Sequence, residues 1–276
     1  MEQENNKANV KNLILSKKHL LISLAVIFSV FESVMFYLIH ISNIYIEFSQ
    51  YYLCIIAAAV FALLTLVIEL AYAKENGENL RDILINRTDG NLIRIAMLFT
   101  LIADYFLVVI DSYESYPIGV TVFLGTQISI FLHIFLNDAD KGWRIANIAT
   151  RLGIMVIAVI VACAVMGKDT DYLSIISVIY YANLLSNAVF AHRSGPGGVL
   201  LTVGLILFAM CDINVGLSAL ESIYEGGFEE GSILYRILYS NLNLIWIFYI
   251  PSQTLIPLTL LFTKGAVKFG KTKKDR

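Results

Sequence analysis

Residues 198–220 read GVLLTVGLILFAMCDINVGLSAL, and the only charge in this stretch is Asp212. The run matches the ~20 residues that a helix needs to cross the hydrocarbon of a bilayer. Its apolar positions do not alternate with polar ones, so the period of a barrel strand is absent and the run reads as a transmembrane helix. Similar windows lie at 20–41, 51–73, 92–110, 117–136, 145–167, 172–191 and 242–262. The sequence therefore predicts an all-α, polytopic membrane protein with eight transmembrane helices. Composition agrees: the chain is 58% hydrophobic and only 15% charged, with a mean hydropathy of +0.72. A soluble domain of this make-up would turn large apolar patches toward water.

The charges that remain fix the expected orientation. With the N-terminus inside, only Lys168 and Arg236 of the 20 Lys and Arg residues fall on the outer side. A wrong span count would scramble that parity, so the positive-inside rule is an independent check. Both termini are expected in the cytoplasm, with an N-terminal segment at 1–19, the eight-helix domain at 20–262 and a basic tail at 263–276. The first span shows no small-residue cleavage pattern and is expected to stay in place. Arg94 and Arg151 lie near inner helix ends, where they are expected to snorkel, and Glu69 is expected at the interface. The protein is expected to be multi-pass in a membrane, which is the cell membrane if the cell is bacterial, with membrane lipids as its surroundings. A net charge of -2 without a basic, aromatic-interleaved surface argues against nucleic acid. Cys54, Cys163 and Cys211 all fall in apolar runs and read as small hydrophobes.

Ionisable groups inside a bilayer are costly and mark function by default. Glu32, Asp104 and Asp212 sit well within spans one, three and seven. These helices run in the same direction, and the acids share one depth in the outer half, so they can meet at one site. The spans that follow the aspartates also match: span four carries Gln127, and span eight carries Tyr249 and Gln253. Asp-then-Gln thus occurs twice, four spans apart, the pattern of a parallel internal repeat. Pro251 and Pro257 bracket Gln253 and free the carbonyls of Ile247 and Gln253. Backbone broken at this depth needs protein or water as a partner, so span eight is expected to line a cavity. Tyr180 and Asn183, one turn apart in span six, are expected to face it.

Two carboxyls that share a poorly hydrated chamber do not both ionise cheaply, which makes a general acid beside a general base. Such a pair suits an acid-sensitive bond that forms an oxocarbenium ion, and a substrate entering from the bilayer is a lipid. Other chemistries lack their residues. There is no G-x-S-x-G elbow, no histidine at the acids' depth, no zinc spacing and no lysine inside a span. No metal or cofactor is expected. A proton-coupled transporter using the buried acids is the alternative reading, and a non-catalytic membrane scaffold a third.

Four segments together carry a family resemblance. They are Leu98-Phe99 through Ala103-Asp104, Gly119 to Gln127, Gly204 to Phe208 through Cys211-Asp212, and Tyr249 through Gln253 to Ile256. In these the chain resembles the lysoplasmalogenase, or YhhN, family of membrane proteins, although Ile130 stands where that family commonly has tyrosine. The resemblance implies an eight-helix hydrolase that cleaves the vinyl-ether bond of a lysophospholipid, releasing a fatty aldehyde and a glycerophospho-base. It also implies that Asp104 and Asp212 are catalytic. Gln127, Tyr180, Asn183, Tyr249, Gln253 and Glu32 are the candidate substrate-binding residues.

Overall fold

A computed structural model of the chain describes residues 2–41, 48–75, 77–79, 81, 83–84, 88–138, 141–223, 228–238 and 243–263. Among these it holds helices and no strand. The helices are α1 (Glu2–His40), α2 (Phe48–Glu75), α3 (Thr88–Asp104), α4 (Tyr116–Asn137), α5 (Lys141–Met166), α6 (Tyr172–Phe190), α7 (Gly198–Ile223), a short α8 (Ile233–Leu238) and α9 (Leu244–Leu258). Eight of them are long and apolar enough to cross a membrane, from Leu15–His40 to Leu244–Phe262. The chain is an integral, multi-pass membrane protein. The polar segment expected at 1–19 is helical from Glu2 and continuous with the first span. The basic tail expected at 263–276 lies outside the described residues from 264 onward.

The spans are not equally enclosed. Only 17% of the α1 span and 6% of the α5 span is buried, against 39% to 50% for the other six. α1 and α5 are therefore the lipid-facing flanks, and the remaining six helices hold the core. Phe61, Phe208, Ile93, Met97, Ile130, Leu201 and Leu205 are almost fully enclosed there. An apolar groove of about 680 Å³ runs along the outside, between Val26, Val30 and Tyr37 of α1 and Leu258 at the end of α9 with Phe262 beyond it.

Association between helices in lipid depends on close packing and on bonds between polar groups, because lipid tails are as apolar as leucine. Small residues provide the packing. A Cβ added at Gly119 of α4 would meet the Leu107 side chain at 2.5 Å, and one at Gly204 of α7 would meet Ile256 at 3.0 Å. These glycines let α4 and α9 lie against the helices that carry the two aspartates.

Arg94 and Glu69 do not extend freely as the sequence reading expected, since they pair with each other inside the bundle. Both are buried, and Arg94 Nη2 sits 2.9 Å from Glu69 Oε1 across the contact between α3 and α2. Arg94 also donates to Thr65 Oγ1 at 3.3 Å and to Asn91 Oδ1 at 2.8 Å. A carboxylate on the neighbouring helix neutralises the guanidinium, so there is no gain in extending it to the interface.

α6 starts on a side-chain cap. Asp171 Oδ1 accepts from the Ser174 backbone N–H at 2.8 Å and from its hydroxyl at 2.5 Å. Those donors hold the Asp171 carboxyl below its ordinary range.

Two outcomes follow from these contacts. Glu69→Ala leaves Arg94 buried without its carboxylate and is expected to cost about 3 kcal/mol of stability in detergent unfolding, with much of it recovered in the apolar pair Glu69→Met with Arg94→Met. Asp171→Ala is expected to cost about 1 kcal/mol at neutral pH. Because the folded carboxyl is the more acidic one, the cap contributes above the ordinary aspartate pKa. Its contribution falls away as pH drops through the folded value. The difference in melting temperature between wild type and variant should shrink on acidification.

Candidate functional site

Asp104 ends α3, and the helix does not continue in register beyond it. Tyr105–Ile110 form a π-helical segment, closed where the Asp111 N–H donates to Phe106 O at 3.3 Å and Asp111 takes a left-handed φ of 45°. Such π turns are rare and frequently lie at functional sites. Ser115 anchors the distorted turn by donating to the Phe106 carbonyl at 2.9 Å. Asp104 itself is only 3% exposed, and the phenol of Tyr249, from α9, donates a short hydrogen bond to its Oδ2.

Asp212 has the same kind of partner from a different helix. Tyr180 of α6 donates to Asp212 Oδ2 at 2.5 Å. A row of rings joins the two contacts. Tyr180 lies 5.7 Å from Phe123, Phe123 5.6 Å from Phe208, and Phe208 5.3 Å from Tyr249. Trp246 packs on Tyr249 at 5.6 Å and stacks on Tyr51 at 4.3 Å. The pair thus sits in one aromatic, water-poor interior where charge interactions are weakly screened.

Hydrogen bonds extend the internal repeat that the Asp-then-Gln pattern suggested. Tyr52 of α2 donates to the carbonyl of Leu101 at 2.8 Å, and Tyr181 of α6 donates to that of Ala209 at 3.5 Å. Each carbonyl lies three residues before its aspartate. A Tyr-Tyr pair on the helix before each acid helix therefore clamps the same turn in both halves. The acid partners break the symmetry. Tyr249 reaches Asp104 from the other half, whereas its counterpart on α4, Phe123, has no hydroxyl and only packs.

The remaining candidates do not all join the pair. Glu32 is buried on α1 against Cys54 of α2, with neither carboxyl oxygen accepting a normal hydrogen bond. Gln253 is 1% exposed, and neither its amide nitrogen nor its oxygen has a partner; the adjacent Ser252 hydroxyl has none either. Gln253 lies one turn from Tyr249 on the same helix face, so open polar atoms border the Asp104 contact. Gln127 and Asn183 turn elsewhere. Asn187 Nδ2 donates to Gln127 Oε1 and to its carbonyl, both at 2.9 Å, and Asn183 accepts from Arg151 Nη1 at 2.8 Å. Asn183 and Tyr180 are one turn apart but serve different neighbours, because the first points to α5 and the second to α7.

Arg151 is a second correction. It is 4% exposed and enclosed between α5 and α6, so it does not snorkel. Asn147, one turn earlier on α5, is the only one of its amide partners on its own helix; Asn183 and Asn187 come from α6, which local spacing does not reveal. Among the described residues no group of His, Cys, Asp and Glu is arranged to hold a metal ion. Comparison with known proteins finds no family model, no curated protein and no solved structure that matches this chain.

Removing the phenol hydroxyls tests the site's architecture. Tyr249→Phe leaves the Asp104 carboxyl buried without its donor and is expected to cost about 1–3 kcal/mol. Tyr180→Phe should cost less, because Asp212 is half-buried and retains other surroundings. Thermal unfolding of the two purified variants side by side checks the order.

Proposed function

We propose that this protein is a membrane-embedded hydrolase that cleaves the vinyl-ether bond of lysoplasmalogen-type lysophospholipids. The observation that carries this reading is that Asp104 and Asp212 each accept from a phenol, Tyr249 and Tyr180, and that one row of rings joins the two phenols. The resemblance of the segments around both aspartates, Gln127 and Gln253 to the lysoplasmalogenase family supports it from the sequence side. In a bacterial cell the enzyme would occupy the cell membrane.

The chemistry follows from what a protonated and an ionised carboxyl do together. One aspartic acid delivers its proton to the outer carbon of the vinyl ether, and the inner carbon becomes an oxocarbenium ion. The other carboxylate stabilises that cation and takes a proton from water as the water oxygen bonds to it, giving a hemiacetal. The hemiacetal carbon–oxygen bond to glycerol then breaks: the first aspartate, now ionised, takes the hemiacetal hydroxyl proton as the aldehyde forms, and the second gives its proton to the glycerol oxygen. The products are a fatty aldehyde and a glycerophospho-base, with one water consumed and both carboxyls returned to their starting states. The surrounding rings exclude bulk water, so only the water that attacks need enter. Tyr249 and Tyr180 hold the carboxyls in place and supply hydrogen bonds that strengthen as charge develops. The unpaired amide of Gln253 is available to the substrate or to the attacking water.

Purified protein given 1-O-alkenyl lysophosphatidylethanolamine should release aldehyde. Asp104→Asn and Asp212→Asn should each lower the rate by at least about a hundredfold while the variants remain monodisperse. Full turnover in either single variant would reject the pair mechanism. Absence of aldehyde from the wild type, together with proton uptake into vesicles, would favour transport instead.

A further inference from the structure

Of the arginines within the bundle, two pair with carboxylates, while Arg151 is buried among neutral groups. Arg94 pairs with Glu69 at 2.9 Å and Arg193 with Asp138 at 2.7 Å. Arg151 has no carboxylate partner among the described residues. Its Nη1 donates to Asn183 Oδ1 at 2.8 Å and to the Asn183 carbonyl at 3.3 Å. Its Nη2 donates to Asn187 Oδ1 at 2.9 Å and to Asn147 Oδ1 at 3.3 Å. Its guanidinium carbon lies 4.3 Å from the centre of the Phe131 ring. Every one of these partners is neutral.

The cluster also has unused donors and no unused acceptor. Arg151 Nε is buried and has nothing to donate to. Gln127, fully enclosed, accepts from Asn187 but leaves its own Nε2 without a partner. None of the buried oxygens of Asn147, Asn183, Asn187 or Gln127 is left bare. A cation and two open N–H donors in a membrane interior lack one thing, an anionic oxygen, and a guanidinium binds oxyanions with particular strength.

We propose that the Arg151–Gln127 cluster binds a phosphate-type oxyanion, which on the reading above is the phosphate of the lysolipid head group. Position favours this source. Asn183 is three residues from Tyr180 on α6, about 4.5 Å along the axis at 1.5 Å per residue. The anion site therefore differs by one helical turn in depth from the Tyr180–Asp212 contact, on the α5 side of α6.

The test measures binding without turnover, on the full-length protein in detergent. Three probes are compared: saturated 1-O-alkyl lysophosphatidylethanolamine, 1-O-alkylglycerol of the same chain length, and inorganic phosphate. The phosphate-bearing lipid should bind about tenfold or more tightly than the alkylglycerol, and Arg151→Gln should abolish that preference. Gln127→Met leaves all four guanidinium bonds in place and should weaken the phosphate lipid several-fold while sparing the alkylglycerol. Equal affinity for the two lipids overturns the proposal, as does an unchanged preference in folded Arg151→Gln or Gln127→Met. Inorganic phosphate that binds in an Arg151-dependent way without any lysolipid preference would assign the site to a free anion and overturn the lipid source. A chain that binds the phosphate lipid yet releases no aldehyde from an alkenyl lipid keeps the anion site and loses the hydrolase.

Discussion

The hydrogen bond from Tyr249 to Asp104 joins two helices whose residues lie 145 positions apart, and the functional interior is organised around it. Lipid supplies no water to a carboxyl at this depth, so the protein must supply a donor. A phenol is well suited, because it brings one O–H on a rigid apolar body that packs against Phe208 and Trp246. The same solution serves Asp212 through Tyr180. Each acid is thereby tied to a helix other than its own, and the bundle cannot assemble in another register without leaving a carboxyl unsatisfied.

The two halves share a skeleton and differ in its completion. Tyr52 and Tyr181 clamp equivalent turns before the two aspartates, and Gln127 and Gln253 occupy equivalent places on the following spans. Yet Tyr249 faces Asp104 where the matching residue of the first half is Phe123, and Arg151 on α5 has no basic counterpart at the corresponding depth of α1. A symmetric scaffold with unequal side chains produces two carboxyls in different settings, one enclosed and one half-buried. Acid and base roles require that kind of inequality, since two identical sites have no reason to divide a proton between them.

Polar groups inside the bundle sort into satisfied and open sets. Arg94 with Glu69 and Thr65 is closed upon itself and ties α3 to α2. Gln253, Ser252, the Nε2 of Gln127 and the Nε of Arg151 are buried without partners. Buried polar atoms are satisfied almost everywhere in folded proteins, so those left open in this chain mark where something other than the chain itself is accommodated. Gln253 and Ser252 follow Tyr249 along α9, whereas the open atoms of Gln127 and Arg151 gather around Asn183 and Asn187 of α6.

Hydropathy and the cost of a buried charge act on each segment locally, and for that reason the amino-acid order alone determined the eight spans, the all-helical class and the place of Asp104 and Asp212 well within two of those spans. It also carried the Asp-then-Gln repeat, because equal spacing within a helix needs no knowledge of neighbours. Which way each helix is rotated, and what it meets, depends on packing against residues far away in the chain. Only the tertiary structure turned Asn183 toward Arg151 instead of the acids, buried Arg94 and Glu69 against one another, placed a π turn after Asp104 and gave each aspartate its own tyrosine. The physical reason is that a polar group in lipid takes whichever partner the adjacent helix presents, and adjacency is a property of the assembled bundle.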